Sequence, residues 1–575
     1  MFKLIRYLKG YRPQTVIAPI FKFIEAFFEL IIPLIVAAIV DVGIKNGNTS
    51  YVLKAGAVMV ALGAAGLIFS LLCQYLAAVS SSGYGTNLRE AMFKHINSLS
   101  FAELDKIGSS SLLTRITSDV NQTQQAVAMF IRLITRVPFI VIGSAVMAFM
   151  INWQLALIFV GGAIVISVIL FCIMRFTIPS YKKVQSRLDD VGELTEENLT
   201  GARVVRAFSK QDEEKEDFDA ATDKLTKVSE AVGKLSALLN PLTYVVINAC
   251  IIAVIALGGY KVYDGALTQG NLIALVNYLS QILLALIVFA NLIVTFTKAS
   301  ASASRINEVF ALSPSVRETA DKTVAADENA PEAEFESVCF SYNADRLSLK
   351  NVSLKIPRGS TLGIIGATGS GKTTLVNLIP RFYDVTSGNV KYRGTNVKEY
   401  PFKQLREEIG IVAQKTGLFS GTIRENMQMG DESITDETIV EALKTAQAYD
   451  FVSALPDFLN APVAAGGKNF SGGQRQRLTI ARALAKKPSL LILDDSSSAL
   501  DTLTDKRLRS ALKQSEGLTT IIVSQRCGSI KDADNIIVLD DGEDVGQGTH
   551  SQLYDDCEVY REICQSQGVG KGGGK

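Results

Sequence analysis

A chain of 575 residues with a formal net charge of +1 and an isoelectric point near 7.5 has room for two or more domains, each with its own core. It lacks the strongly basic balance of a nucleic-acid binder, so no nucleic-acid partner is expected. The mean hydropathy of +0.23 comes from one half: before residue 300 apolar runs recur, and after it the mixture is that of a soluble α/β protein.

The opening MFKLIRYLKGYRPQ alternates Phe2, Leu4, Ile5 and Leu8 with Lys3, Arg6 and Lys9 and has no small-residue cleavage site. It reads as an interfacial helix rather than a signal peptide. Six apolar segments follow, near 15–40, 54–79, 128–150, 154–176, 239–260 and 271–297, each long enough to cross a bilayer, which takes about twenty residues. Lys3, Arg6, Lys9 and Arg12 precede the first, which assigns the N-terminus to the cytoplasm. Short links such as Ile151-Asn152-Trp153 then lie outside, while the charged stretches 80–127 and 177–238 continue spans 2 to 5 as helices into the cytoplasm. Lys22, Glu25 and Glu29 share one face of the first span. Intramembrane charge is costly, so these residues either line a translocation cavity, or mark a span that starts deeper, or pair with Arg132 and Arg136 of span 3.

The stretch ETADKTVAADENAPEAE is acidic and rich in small residues, which suits a solvated linker. The expected domains are a membrane domain at 1–310, a linker at 311–333, a soluble α/β domain at 334–565 and a disordered or appended tail at 566–575. Within the soluble domain, TLGII is a short apolar strand and KTTLVNLI a helix. Between them Gly366, Ala367, Thr368, Gly369, Ser370 and Gly371 wrap phosphates with backbone N–H groups, Lys372 reaches the β- and γ-phosphates, and Thr373, followed by Thr374, offers Mg²⁺ a hydroxyl. LLILD is a buried strand ending in Asp494, a carboxylate able to hold Mg²⁺ through water.

The order of these motifs resembles the ATP-binding cassette (ABC) exporters, and with six spans and one cassette the whole chain is similar to a half-transporter. The resemblance matches Gln414 in GIVAQ to the family's Q-loop, Ser471, Gly472, Gly473 and Gln474 to its signature motif, Ser498 to Asp501 to its D-loop, and Tyr342 to the residue that stacks on adenine. It implies ATP and Mg²⁺ as cofactors, with Thr373, Gln414 and Asp494 around the metal, and two cassettes closing head to tail, so that Ser471 to Gln474 serve a partner's nucleotide. Residues 197–208 and 101–111 are implied to lie near cytoplasmic coupling turns.

Three positions depart from the family pattern, two of them at hydrolytic groups. Asp495 stands where a catalytic glutamate is usual, and Gln525 where a histidine is; Ala465 also replaces a glutamate six residues before the signature serine. Asp495 is one methylene short, and a misplacement of about 1 Å costs on the order of 10²-fold when a group must align a reacting water. An intact signature beside two hydrolytic departures points to the degenerate-site subunit of a heterodimeric, multidrug-type exporter in the plasma (inner) membrane, both termini cytoplasmic. The expected cargo is an amphipathic small molecule, lipid or peptide. The open alternatives are a slow homodimeric exporter and a nucleotide-gated regulatory or channel-like subunit.

Seven cysteines are scattered without metal-type spacing and are expected to be reduced, packed as small hydrophobes. With His95 and His550 the only histidines, no dedicated zinc site is expected.

Overall fold

The computed structural model describes residues 2–318, 323–325, 327–342, 346–415 and 417–571; portions of the expected linker and tail lie outside them. The chain forms two compact units, one of Met1–Asn97 with Ser110–Ala311, the other of Ser98–Ser109 with Leu312–Lys575.

The first unit is wholly helical. A short 3-10 helix, Phe2–Leu8, precedes six spans: Arg12–Ile44, Thr49–Asn97, Ser109–Ile151, Trp153–Ala207, Gln211–Tyr263 and Gln269–Ala311. All six expected spans are present, and all but the first run to between 43 and 55 residues with their polar extensions. The polar helix Gln211–Ala237 and the apolar helix Leu239–Tyr263 make up the fifth. Large apolar side chains such as Leu71, Phe149, Phe171 and Ile252 point outward, as lipid-facing surface requires, whereas small residues including Ala18, Ala26, Ala148 and Ala274 are buried where helices approach one another.

Of the charges in spans 1 and 3, Lys22, Glu25, Glu29 and Arg136 are paired, whereas the buried Arg132 Nε has no partner among the described residues. Lys22 pairs with Glu25 at 2.6 Å, and Glu29 pairs with Arg136 at 3.0 Å, with Gln281 donating to the Glu29 carbonyl at 3.3 Å. Two π-helical turns, Ile39–Ile44 and Arg115–Asp119, interrupt the helices; beside the second, the buried Asp119 accepts from the Arg305 guanidinium.

The second unit holds a six-stranded sheet in the order Glu543–Gly548, Asn535–Asp540, Thr361–Gly366, Thr519–Val523, Leu490–Asp494, Ile409–Val412. All neighbours are parallel except the first pair. The central strands are apolar on both faces, as a sheet covered on both sides demands: every residue of Leu490–Asp494 and Thr519–Val523 is buried. A four-stranded antiparallel sheet of Leu349–Ile356, Ala333–Phe340, Ser387–Tyr392 and Thr395–Asn396 packs into one of the two apolar cores. The short helix Phe101–Ile107 also belongs to this unit, closed at its start by a capping box between Ser100 and Glu103.

Candidate functional site

The strand Thr361–Gly366 lies between Asn535–Asp540 and Thr519–Val523, so the loop after it opens at the carboxyl end of a parallel sheet, where such sheets bind ligands. Gly366 and Gly371 are required there. A Cβ on Gly366 would stand 2.1 Å from the Leu539 carbonyl oxygen, and one on Gly371, at φ 97°, 2.7 Å from that of Ser348.

A cavity of about 770 Å³ opens over this loop, lined by Tyr342, Ala367 to Thr374, Gln414, Asp494, Asp495 and Gln525, among others. Lys372, beginning the helix Lys372–Leu378, donates to the carbonyls of Gly366 at 2.9 Å and Ala367 at 2.6 Å. Burial pulls its pKa down, opposed by the charges of Asp495 and Asp494. The Thr373 hydroxyl donates to Asp494 at 3.1 Å, and burial raises the Asp494 pKa although that hydrogen bond acts against the rise. A hydroxyl and a buried carboxylate converging in this way are the hard oxygen donors that suit Mg²⁺.

Asp495 follows at φ 48°, a left-handed conformation that Asp tolerates better than most residues. Its N–H donates to the Val523 carbonyl at 2.9 Å, and its own carbonyl accepts from the Ser498 hydroxyl at 2.8 Å. The Gln414 amide donates to its carboxylate at 3.3 Å. Thr373 and Asp494 are thus in direct contact, while Gln414 joins them through Asp495. Across the cavity, the Gln525 carbonyl accepts from the Gln567 side chain at 2.8 Å, and the same side chain accepts from the Cys527 N–H at 2.8 Å.

Tyr342 shares a hydrogen bond with Thr374 at 3.1 Å and stands edge-on to Phe340 and Tyr383, with ring centroids 4.8 and 5.2 Å away. Within the same unit Tyr383 donates to Asp105 at 2.6 Å, and Phe101 packs on Phe382 at 4.6 Å. The short helix and Tyr342 therefore meet on one aromatic cluster.

Ser471, Gly472, Gly473 and Gln474 are not among the described residues lining this cavity. Ser471 caps the helix Gly472–Ala485 in a capping box with Gln474, and Ser471 and Gly472 are exposed. Residues not singled out in the sequence also line the cavity, notably Arg346 and Asp541, paired at 2.6 Å, and Gly542 at φ 83°. The signal available for Asp541 and Gly542 was the DDGED turn; Arg346 carried none.

One expectation is corrected. Cys527 and Cys564 form a disulfide; their separation of 37 residues carries no local signal, and they meet because the last helix, Glu558–Ser566, returns to the end of the sheet. Cys73, Cys172, Cys250, Cys339 and Cys557 are free.

Residues 15–286 match the ABC transporter transmembrane region and residues 349–498 the ABC transporter family. An uncharacterised ABC transporter ATP-binding protein of Mycobacterium tuberculosis is 35% identical over 571 residues, 98% of each chain. An ATP-dependent lipid A-core flippase of Syntrophus aciditrophicus is 32% identical over 86% of this chain and 83% of its own, and a candidate multidrug export ATP-binding/permease protein of Bacillus subtilis is 31% identical over 99% of each. The solved structure of a bacterial Atm1-family ABC exporter with ATP bound shares the fold, with a TM-score of 0.79 and 23% identity over 99% of both chains. With likeness of this order running from end to end, the chain belongs to the ABC transporter family, as an exporter subunit whose membrane-spanning half is continuous with the ATP hydrolase that drives transport.

Proposed function

We propose that this chain is the weaker-site half of a two-chain exporter, set in the membrane with both termini cytoplasmic, that moves an amphipathic compound or lipid. In this reading residues 1–310 form the membrane domain, 311–333 the linker, 334–565 the cassette and 566–575 the tail. ATP sits over the loop Gly366 to Thr374 with its base on Tyr342 and its terminal phosphates at Lys372. Thr373, Asp494 and Gln414 would hold Mg²⁺, which would supply the positive charge that offsets the phosphates. Asp495 and Gln525 occupy the water-aligning and γ-phosphate positions.

The observation that carries the reading is the contrast between the two halves of the machinery. The phosphate loop, Thr373 and Asp494 are assembled around the cavity, but the carboxylate beside them is the short Asp495, engaged by Gln414, and Gln525 offers no imidazole. The exposed, capped start of Gly472–Ala485 presents free N–H groups and the positive helix end, which attract anions; there it completes the γ-phosphate site of a partner cassette that carries Glu and His. The lipid and multidrug names of the relatives support an amphipathic cargo.

The test is nucleotide binding and turnover by the purified chain alone. The expected outcome is Mg²⁺-dependent ATP binding with slow hydrolysis, and a sharp rise in turnover on adding a matched half-transporter. Brisk turnover by the lone chain, lost in Lys372→Ala, would establish a competent own site and refute the unequal pair.

A further inference from the structure

We propose that Cys527 and Cys564, with His550, form a thiol–disulfide switch that fastens the last helix to the strand end carrying Gln525 and so sets the hydrolysis rate of this chain's ATP site. The inference rests on the reading of Gln525 as the γ-phosphate-side group.

Cys527 begins the helix Cys527–Ile530, two residues beyond Gln525, and Cys564 lies in Glu558–Ser566. Both are fully buried, with Cα atoms 5.6 Å apart, inside the span of about 4.4–6.8 Å that a disulfide needs. Three residues past Cys564, the Gln567 amide bridges the same segment, accepting from Cys527 and donating to Gln525. The last helix is therefore tied to the 525–527 segment by one covalent bond and one two-handed amide.

The surroundings supply proton chemistry. One His550 ring nitrogen and both sulfurs lie within 4.8 Å of one another. His550 Nδ1 shares a hydrogen bond with the Tyr560 hydroxyl at 2.8 Å, and that hydroxyl lies 3.5 Å from the Cys527 sulfur. Burial pushes the Tyr560 pKa up to about 12, so it remains a neutral phenol able to donate. A neighbouring imidazole generates the thiolate, which is the reactive form of cysteine. Other soluble-half cysteines lack this setting: Cys339 accepts a backbone N–H, and Cys557 faces the Val545 carbonyl.

The oxidant is a low-molecular-weight disulfide. One thiolate attacks its S–S bond, forming a mixed disulfide and expelling a thiolate that takes up a proton. The second cysteine, deprotonated by His550, then attacks the protein-side sulfur, closing Cys527–Cys564 and expelling the second thiol. Two protons and two electrons pass to the oxidant, which becomes two thiols. Access comes from fraying of a nine-residue terminal helix, the kind of element that opens first. In a reducing compartment such a pair cycles rather than persisting as a permanent staple. The oxidised form holds Gln525 in place, and preorganised groups hydrolyse faster than mobile ones.

The experiment uses the full-length chain in detergent micelles equilibrated in graded glutathione buffers, with thiols trapped by iodoacetamide and mapped by mass spectrometry. ATP turnover and amide exchange are followed in parallel. Cys527 and Cys564 should pass together from alkylated to disulfide-linked, while Cys557 stays free. Reduction should speed exchange at residues 525–530 by about tenfold or more and lower turnover, and Cys564→Ser should behave as the reduced chain at every potential. If Cys564→Ser does not fold, the wild-type titration still decides. Failure of the pair to form at any potential refutes the switch, as does pair formation with no change in exchange or turnover. One zinc ion bound per reduced chain, its removal by a chelator reproducing the exchange change, would make the cluster a metal site and also refute it. Brisk lone-chain turnover that responds to redox would refute only the weak-site reading, and slow turnover without a redox response only the switch.

Discussion

Asp494 makes opposite demands on stability and on chemistry. Its pKa is raised in the folded chain, chiefly by burial, so its contribution to stability is full below the unfolded value of about 3.9 and is lost as pH rises through the folded value. At neutral pH, without a cation, the ionised carboxylate is a cost. Asp494→Asn should therefore raise the melting temperature of the metal-free chain, read by scanning fluorimetry in EDTA, while removing Mg²⁺-dependent turnover. The next residue behaves differently. Asp495→Glu with Gln525→His should raise hydrolysis at this chain's own site by on the order of a hundredfold, because about 1 Å of misplacement costs such groups about that much rate. The gain carries a loss of about 1 kcal/mol of stability, since Glu must then adopt the left-handed backbone at φ 48°. Comparing steady-state ATPase and melting temperature of the double variant with the parent checks both halves. The placement of Lys372, Thr373 and Asp494 around the cavity was legible because it follows from spacing from glycines and strand ends. The hold of Gln567 on Gln525 was not, because it spans 42 residues and depends on where a terminal helix docks.

Among the elements, the strand-loop-helix around Gly366 to Thr374 and the six spans could be read directly, since apolar runs and glycine positions are local signals. The aromatic cluster around Tyr342 could not. Tyr342, Tyr383 and Asp105 come from three distant segments, and only the antiparallel sheet together with the helix Phe101–Ile107 assembles them. The π-turn Arg115–Asp119 was equally hidden, because the Asp119–Arg305 pair beside it is tertiary. Tyr342 faces the cavity and is backed by Phe340 and Tyr383, which pre-positions a stacking platform. Stacking on an aromatic ring contributes about 1–3 kcal/mol per base, so Tyr342→Ala should weaken ATP binding by about tenfold, measured by equilibrium titration with a fluorescent ATP analogue. An unchanged affinity would mean that the base rests elsewhere.

For the proposed two-chain assembly, the decisive contrast is between a residue assigned to this chain's own cavity and one assigned to a partner's. In the co-purified pair, Ser471→Arg sets a bulky cation at an exposed helix start and should bring steady-state ATPase down by about a hundredfold. Ser471→Ala, which removes the hydroxyl without adding bulk or charge and costs about 1 kcal/mol, separates loss of the cap hydroxyl from the effect of the cation. Asp495→Asn should leave most activity intact. Equal damage from Asp495→Asn and Ser471→Arg would place an active hydrolytic site in this chain. The long spans carry a mechanical consequence of their own. At about 1.5 Å per residue the helix Trp153–Ala207, 55 residues long, measures about 80 Å, of which a bilayer core takes about 30 Å. Roughly 50 Å remains beyond it, packed along the helix Gln211–Ala237, and a tilt of about 5° where the pair leaves the bilayer swings its tip by about 4 Å. Pro179 lies inside this helix and removes one rung of its hydrogen-bond ladder, leaving a compliant point on the lever. The stroke that reaches the bilayer is then governed as much by bending stiffness at that joint as by the force applied at the far end.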